Sequence, residues 1–233
     1  MNILITGAGR GLGFQLTKLA VERGHQVIAC VRDIGDHSEN LPALAKGFPE
    51  LLRIERMNVT REDDVAELAK KLSGESVKLD GIINNAGVLL AREHKIGTLP
   101  IDQLLLTFEV NLFGPMIVLK HLTSLLTDDA GANVVNISSE AGSFAGAYGG
   151  DYPYAISKAA VNMLSKQLNE ELRPRGIRVL AVHPGWIRTD MGGDKAPMEA
   201  SESASGILDI LERKTIVSEE AFFVDHRGRQ MSL

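Results

Sequence analysis

Tyr154 and Lys158 stand four residues apart in a stretch with helical spacing of its apolar residues, so a phenol and an ammonium share one helix face. A phenol with its ordinary pKa of about 10 is a poor proton donor or acceptor at neutral pH unless a neighbouring cation lowers it, and Lys158 supplies that cation. The pair alone carries little weight, because tyrosines and lysines meet on many helix surfaces. It gains weight from Ser139, upstream in Asn136-Ile137-Ser138-Ser139-Glu140-Ala141-Gly142. A strand ends there, and strand C-termini of parallel sheets face the ligand. Ser138 is the alternative hydroxyl; the spacing to Gly142 favours Ser139.

A second group of residues suits a phosphate-bearing ligand. The first strand runs into Thr6-Gly7-Ala8-Gly9-Arg10-Gly11-Leu12-Gly13 and then a helix, which brings bare backbone to a helix N-terminus. The second strand ends at Val31-Arg32-Asp33. A carboxylate at the strand terminus would receive the ribose 2′-hydroxyl of NAD. Val31 occupies that place instead, and Arg32 with Arg10 offers two guanidinium groups to a 2′-phosphate, which makes NADPH the expected cofactor and NADH the lesser one. Both arginines also read as ordinary solvated charges, and Asp33 could swing inward to favour NAD.

The spacing of Gly7, Gly11 and Gly13, with Asn84-Asn85-Ala86-Gly87 after the fourth strand and the Ser139, Tyr154, Lys158 set, resembles the short-chain dehydrogenase/reductase family from the first strand to the end. The resemblance implies Tyr154 as general acid or base, Lys158 lowering its pKa and holding the nicotinamide ribose, and Ser139 bonding the substrate carbonyl. Asn111, in Val110-Asn111-Leu112-Phe113-Gly114, then completes a tetrad by interrupting its helix and holding a relay water. Asn85, Ala86 and Gly87 support the sheet centre and the adenosine side. Asn58-Val59 stands where the family often has an Asp before the aliphatic residue; the Asn58 amide oxygen can accept from the adenine amino group. Pro184, Gly185, Ile187 and Thr189 cover the nicotinamide and meet its carboxamide. The tail, with His183-Pro184-Gly185-Trp186 and Phe222-Phe223-Val224-Asp225, is most similar to the sniffer-type carbonyl reductases and C-factor proteins. Phe144, Tyr148, Trp186, Met191 and Met198 are then expected near an apolar substrate pocket, each also readable as packing. His183, beside a proline, reads as structural.

Elements that position these residues follow from periodicity. Residues Asn2 to Thr6, Gln26 to Val31, Leu52 to Arg56, Gly81 to Asn84, Asn133 to Ile137, Ile177 to Val182 and Ala221 to Val224 read as seven strands. Leu12 to Arg23, Glu62 to Leu72, Ile101 to Leu126, Tyr154 to Arg173 and Glu199 to Leu211 read as helices. Their alternation predicts an α/β fold, a single doubly wound (Rossmann) parallel sheet with helices on both faces over residues 1–233. Small residues over 190–206 suggest a mobile substrate lid.

Composition narrows the function. The 233 residues carry a net charge of −5 with no basic face, which argues against nucleic acid. The single cysteine, Cys30, excludes an intrachain disulfide and a cysteine-cluster zinc site and fits a cytoplasmic compartment. His25, His37, His94, His121 and His226 show no ligand spacing, so no metal is expected. No export signal or membrane-length apolar run is read. The expected partner is a small carbonyl substrate, with a homodimer or homotetramer formed through the two long helices. The expected activity is NADPH-dependent reduction of a ketone, aldehyde or quinone. The competing readings are a non-catalytic dinucleotide-binding redox sensor or signalling protein and an NAD-dependent alcohol dehydrogenase.

Overall fold

The computed structural model describes residues 1–33, 40–128 and 131–233, so His37 lies outside the described residues. Seven strands form one parallel sheet: β1 (Asn2–Thr6), β2 (Gln26–Val31), β3 (Leu52–Arg56), β4 (Gly81–Asn84), β5 (Asn133–Ile137), β6 (Arg178–His183) and, after the short β7 (Ile187–Arg188) and β8 (Met198–Glu199), β9 (Phe223–Asp225). Their spatial order is β3-β2-β1-β4-β5-β6-β9, and all pairs are parallel. β1, β4 and β5 are almost wholly buried, as continuous apolar runs must be in a sheet covered on both faces.

The helices are α1 (Gly11–Glu22), α2 (Asn40–Gly47), α3 (Glu62–Gly74), α4 (Ile101–Phe108), α5 (Gly114–Leu122), α6 (Tyr152–Leu172) and α7 (Ala200–Leu211). One core lies between the sheet and α1, α2 and α7, built around Ile3, Ile5, Leu16, Leu41 and Ile207. The other lies opposite, where Leu4, Ile82, Val65, Leu119 and Leu172 meet. The strand order reverses between β1 and β4, which opens a crevice at their C-terminal ends.

Two expectations are corrected. The helix expected over Ile101 to Leu126 is broken by a π-helical turn, Glu109–Phe113, between α4 and α5. With a terminal 3₁₀ turn, residues 101–125 nevertheless form a helical stretch long and apolar enough, by length and composition, to cross a membrane, contrary to the sequence reading. Scattered Glu109, Asn111 and Lys120 conceal that length in the sequence. Its inner side packs on α3 and α6, while Leu105, Phe113 and Met116 stay exposed. Within the segment 190–206 expected as a lid, β8 and α7 take up 198–206, where Ala200, Ser203 and Ala204 are buried.

Candidate active site

The crevice widens into a cleft of about 1130 Å³ along the strand C-termini, from Arg32 past Gly7–Gly13 to Tyr154 and on to Met231. At its glycine-rich end the chain turns sharply at Gly7, φ +64°, where a side chain would meet the Ala86 backbone at 2.9 Å. A Cβ on Gly13 would lie 2.1 Å from the Gly7 carbonyl oxygen. Only bare backbone fits between the start of α1 and the end of β4. Asn85 locks this approach: its Nδ2 donates to the carbonyls of Thr6 and Gly7 at 3.0 and 3.1 Å. The Thr6 hydroxyl in turn accepts from the Asn85 and Ala86 amides, each at 3.0 Å.

Gly7, Arg10, Gly11, Leu12, Gly13, Val31, Arg32, Asn58, Val59, Asn85, Ala86 and Gly87 all line the cleft. The Arg10 guanidinium lies 3.3 Å from Asp190, and Arg32 lies 3.4 Å from Asp33. Both pairs are exposed, so each is weak and can yield to a bound anion. Asn58, expected to meet the adenine amino group, has its Oδ1 accepting from the Thr60 amide at 3.1 Å and the Thr60 hydroxyl at 3.0 Å. An Asn side chain readily accepts in this way from the amide two residues on.

Tyr154 sits in the first turn of α6, and Lys158 one turn on is buried. The Lys158 Nζ donates to the Ile137 carbonyl at the end of β5 and lies 5.6 Å from the Tyr154 ring centroid. Burial drives the Lys158 ammonium down to about 8. Burial also pushes the Tyr154 phenol above its ordinary value, against downward pulls from the Ser139 hydroxyl and Arg92. Desolvation is the largest of these effects, so in this arrangement the phenol is protonated at neutral pH. Ser139 bonds Tyr154, and its Oγ also accepts from the Ala141 amide at 3.2 Å. Ser138 instead turns inward, donating to the buried Asn162 side chain. The choice between the two hydroxyls thus falls on Ser139.

Asn111 is buried in the π-helical turn behind the cleft wall. Its Oδ1 accepts from the Val88 amide at 2.8 Å, and its Nδ2 donates to the Val88 carbonyl at 2.9 Å and to the Ser157 hydroxyl at 3.1 Å. It clasps the chain after Gly87 to α6. At the opposite wall Pro184, Gly185, Ile187 and Thr189 follow β6 and line the cleft. Trp186 Nε1 donates to the Gly192 carbonyl at 2.8 Å, tying this turn to the loop beyond it. His183 Nδ1 accepts from the Glu140 amide at 3.1 Å, consistent with its structural reading.

Of the expected substrate-pocket residues, Tyr148, Trp186 and Met191 line the cleft; Phe144 is exposed and Met198 packs against the core instead. Arg92, Asp151, Met231 and Ser232 also line it and were not singled out in the sequence. Met231 reaches the cleft because the chain after β9 turns at Gly228 and runs back, the Met231 amide donating to the Phe223 carbonyl at 3.0 Å. The Arg227-Gly228 dipeptide was the available sign of that return.

A short chain dehydrogenase family model matches residues 1–200. The 1-hydroxy-2-glutathionyl-2-methyl-3-butene dehydrogenase of Rhodococcus sp. (strain AD45) is 31% identical over 92% of this chain and 92% of its own length. The C-signal protein of Myxococcus xanthus is 34% identical over 66% of this chain and 92% of its own. Among solved structures, the carbonyl reductase Sniffer of D. melanogaster superposes with a TM-score of 0.92 at 28% identity, covering 100% of this chain and 99% of that one. The NADPH-bound carbonyl reductase from chicken fatty liver superposes with a TM-score of 0.90 at 29% identity, covering 100% and 94%. With the glycine turn, the Asn85 lock and the Ser139, Tyr154 and Lys158 cluster all in this one cleft, the chain belongs to the short-chain dehydrogenase/reductase family of oxidoreductases and resembles its sniffer-like members.

Proposed function

We propose that this oxidoreductase is an NADPH-dependent reductase of small carbonyl compounds. The observation that carries the reading is one cleft that holds Ser139, Tyr154 and Lys158 at one end and presents Arg10 and Arg32 at the other. A phenol that is protonated at neutral pH can give its proton to a carbonyl oxygen as the carbonyl carbon gains a hydride, the role it has in the reducing direction.

The cleft fits the cofactor. Gly7, Gly11, Leu12 and Gly13 would hold the pyrophosphate at the N-terminus of α1, whose first turn contains no acid. Arg10 and Arg32 would grip the 2′-phosphate, and the neutral Val31 presents no carboxylate to repel it. Val59, Ala86 and Gly87 would flank the adenosine. Pro184, Gly185, Ile187 and Thr189 would cover the nicotinamide, and Lys158 would hold its ribose with the protons not given to Ile137. NADPH, when bound, supplies a hydride to the carbonyl carbon. Ser139 orients the carbonyl oxygen by hydrogen bonding, and Tyr154 gives that oxygen its proton. Asn111 keeps the wall behind Lys158 in register and opens its helix where a relay water would sit. The NADPH bound in the chicken carbonyl reductase supports this cofactor.

The exposed Leu105, Phe113 and Met116 of the α4–α5 stretch, with Ile156 and Met163 of α6, form the surface that a second copy of the chain would cover. Light scattering should give a multiple of 25.2 kDa, and Met163→Glu should return the monomer. The activity itself is tested by incubating purified protein with NADPH and a panel of diketones, quinones and aldehydes, and with NADP and the matching alcohols. Consumption of NADPH on at least one carbonyl supports the reading. NADPH binding with no turnover in either direction would shift it to a redox sensor, the role that the C-signal likeness makes worth separating.

A further inference from the structure

One cluster beside Tyr154 is left unused by the mechanism above. Asp151 immediately precedes α6 in the left-handed region, φ 47° and ψ 29°, a conformation that Asp tolerates better than most residues with a side chain. Its carbonyl accepts from the Ala155 amide at 2.8 Å, so its position is fixed by the same turn that carries Tyr154. The carboxylate is 8% exposed. Tyr148 donates to its Oδ2 at 2.7 Å. Its Oδ1 has no hydrogen-bond partner among the described residues, and the nearest cation is Arg92, whose Nε lies 3.8 Å away. Tyr148, Arg92, Asp151 and Tyr154 all line the same end of the cleft.

We propose that Asp151 and Arg92 act as opposed positioning residues, which together set the pH at which Tyr154 stops donating its proton. The inference rests on Tyr154 as the proton donor. A buried carboxylate one turn before the phenol disfavours the phenolate, and a guanidinium facing that carboxylate favours it. The two are unequal in reach. Asp151 acts through protein interior, whereas Arg92 is more than half exposed and screened by water. The Tyr154 phenol accordingly feels an upward push from Asp151 and a downward pull from Arg92, after the larger effect of burial. Tyr148 is held to the carboxylate, and burial with that bond pushes its own phenol up to about 12, so it stays a donor to Asp151 across the working pH range. The other ionisable groups lining this end are Lys158 on α6, Glu140 after β5 and His183 at the end of β6, and the substitutions below leave them in place.

The sign follows from the chemistry of donation. Carbonyl reduction persists while Tyr154 is protonated and falls as pH rises through its pKa. Asp151→Asn removes the charge, keeps the left-handed backbone accessible and still accepts from Tyr148. The alkaline limb of the reduction rate should move to lower pH by about half a unit or more. Arg92→Gln, at an exposed position with little bearing on folding, should move it to higher pH. The same shifts can be read without turnover. The chain has three tyrosines, so tyrosinate absorbance titrations of each variant, less those of the same variant carrying Tyr154→Phe, isolate the one phenol. Opposite shifts in both readouts support the proposal. A phenol titration unmoved by either substitution, or moved the same way by both, overturns it. Opposite shifts in the titration with an unmoved rate profile instead overturn Tyr154 as the donor, and with it the pair's role in turnover.

Discussion

At the scale of single residues, the site is a set of polar groups whose protonation is governed by burial more than by partners. Lys158 loses much of its proton affinity to desolvation, and Tyr154 gains some from the same cause. Cofactor choice lives at this scale too. If Arg10 and Arg32 hold the 2′-phosphate, Arg32→Ala should weaken NADPH binding by roughly tenfold or more, a charge-assisted bond being worth about 1.5–3 kcal/mol. NADH binding should change little, and titration calorimetry with both nucleotides measures the difference. Equal weakening of both would assign Arg32 a structural role.

At the scale of elements, the site depends on one irregularity. The π-helical turn puts Asn111 where its amide clasps Val88 and Ser157 together, joining the loop after β4 to α6. Asn111→Ala should unlatch that wall and lower stability by roughly 1–3 kcal/mol, since the part-buried amide and carbonyl of Val88 lose their side-chain partners. Chemical denaturation measures this directly. Such a turn is invisible to apolar spacing, which reads residues 101–126 as one helix. The seven strands were legible because each is a short run of mostly apolar, often β-branched residues, and the glycine turn because only bare backbone fits there. α2 was missed, with a proline inside its eight residues, and so were β7 and β8, too short to show a period. Ser139, Tyr154 and Lys158 were legible because their elements are regular. Arg92, Asp151 and Met231 come from loops and a chain reversal, where residue type shows no direction. The sequence could not indicate that the Asn58 oxygen meets Thr60, or that burial raises the Tyr154 phenol.

At the scale of the whole molecule, charge ties the last helix to the first. Glu212, just after α7, accepts from Arg23 at the end of α1 at 2.8 Å, lies 3.0 Å from His25, and pairs with Lys214. Burial pushes its carboxyl up, but the bonds from Lys214, Arg23 and His25 outweigh it and hold the group down to about 2. A depressed carboxyl contributes stability above its ordinary pKa of 4.5, and that contribution is lost as pH falls towards 2. Glu212→Gln should therefore melt below wild type at neutral pH, with the gap closing between those two values. A gap independent of pH would mean that the contacts matter and the charge does not.

The central claim concerns Tyr154, and the direct measurement is turnover by Tyr154→Phe beside wild type, on the best carbonyl substrate, with NADPH affinity measured on the same preparations. The account predicts a loss of about 10²- to 10⁴-fold in rate with NADPH still bound, the usual worth of a positioned general acid. Near wild-type turnover by the phenylalanine variant would contradict it.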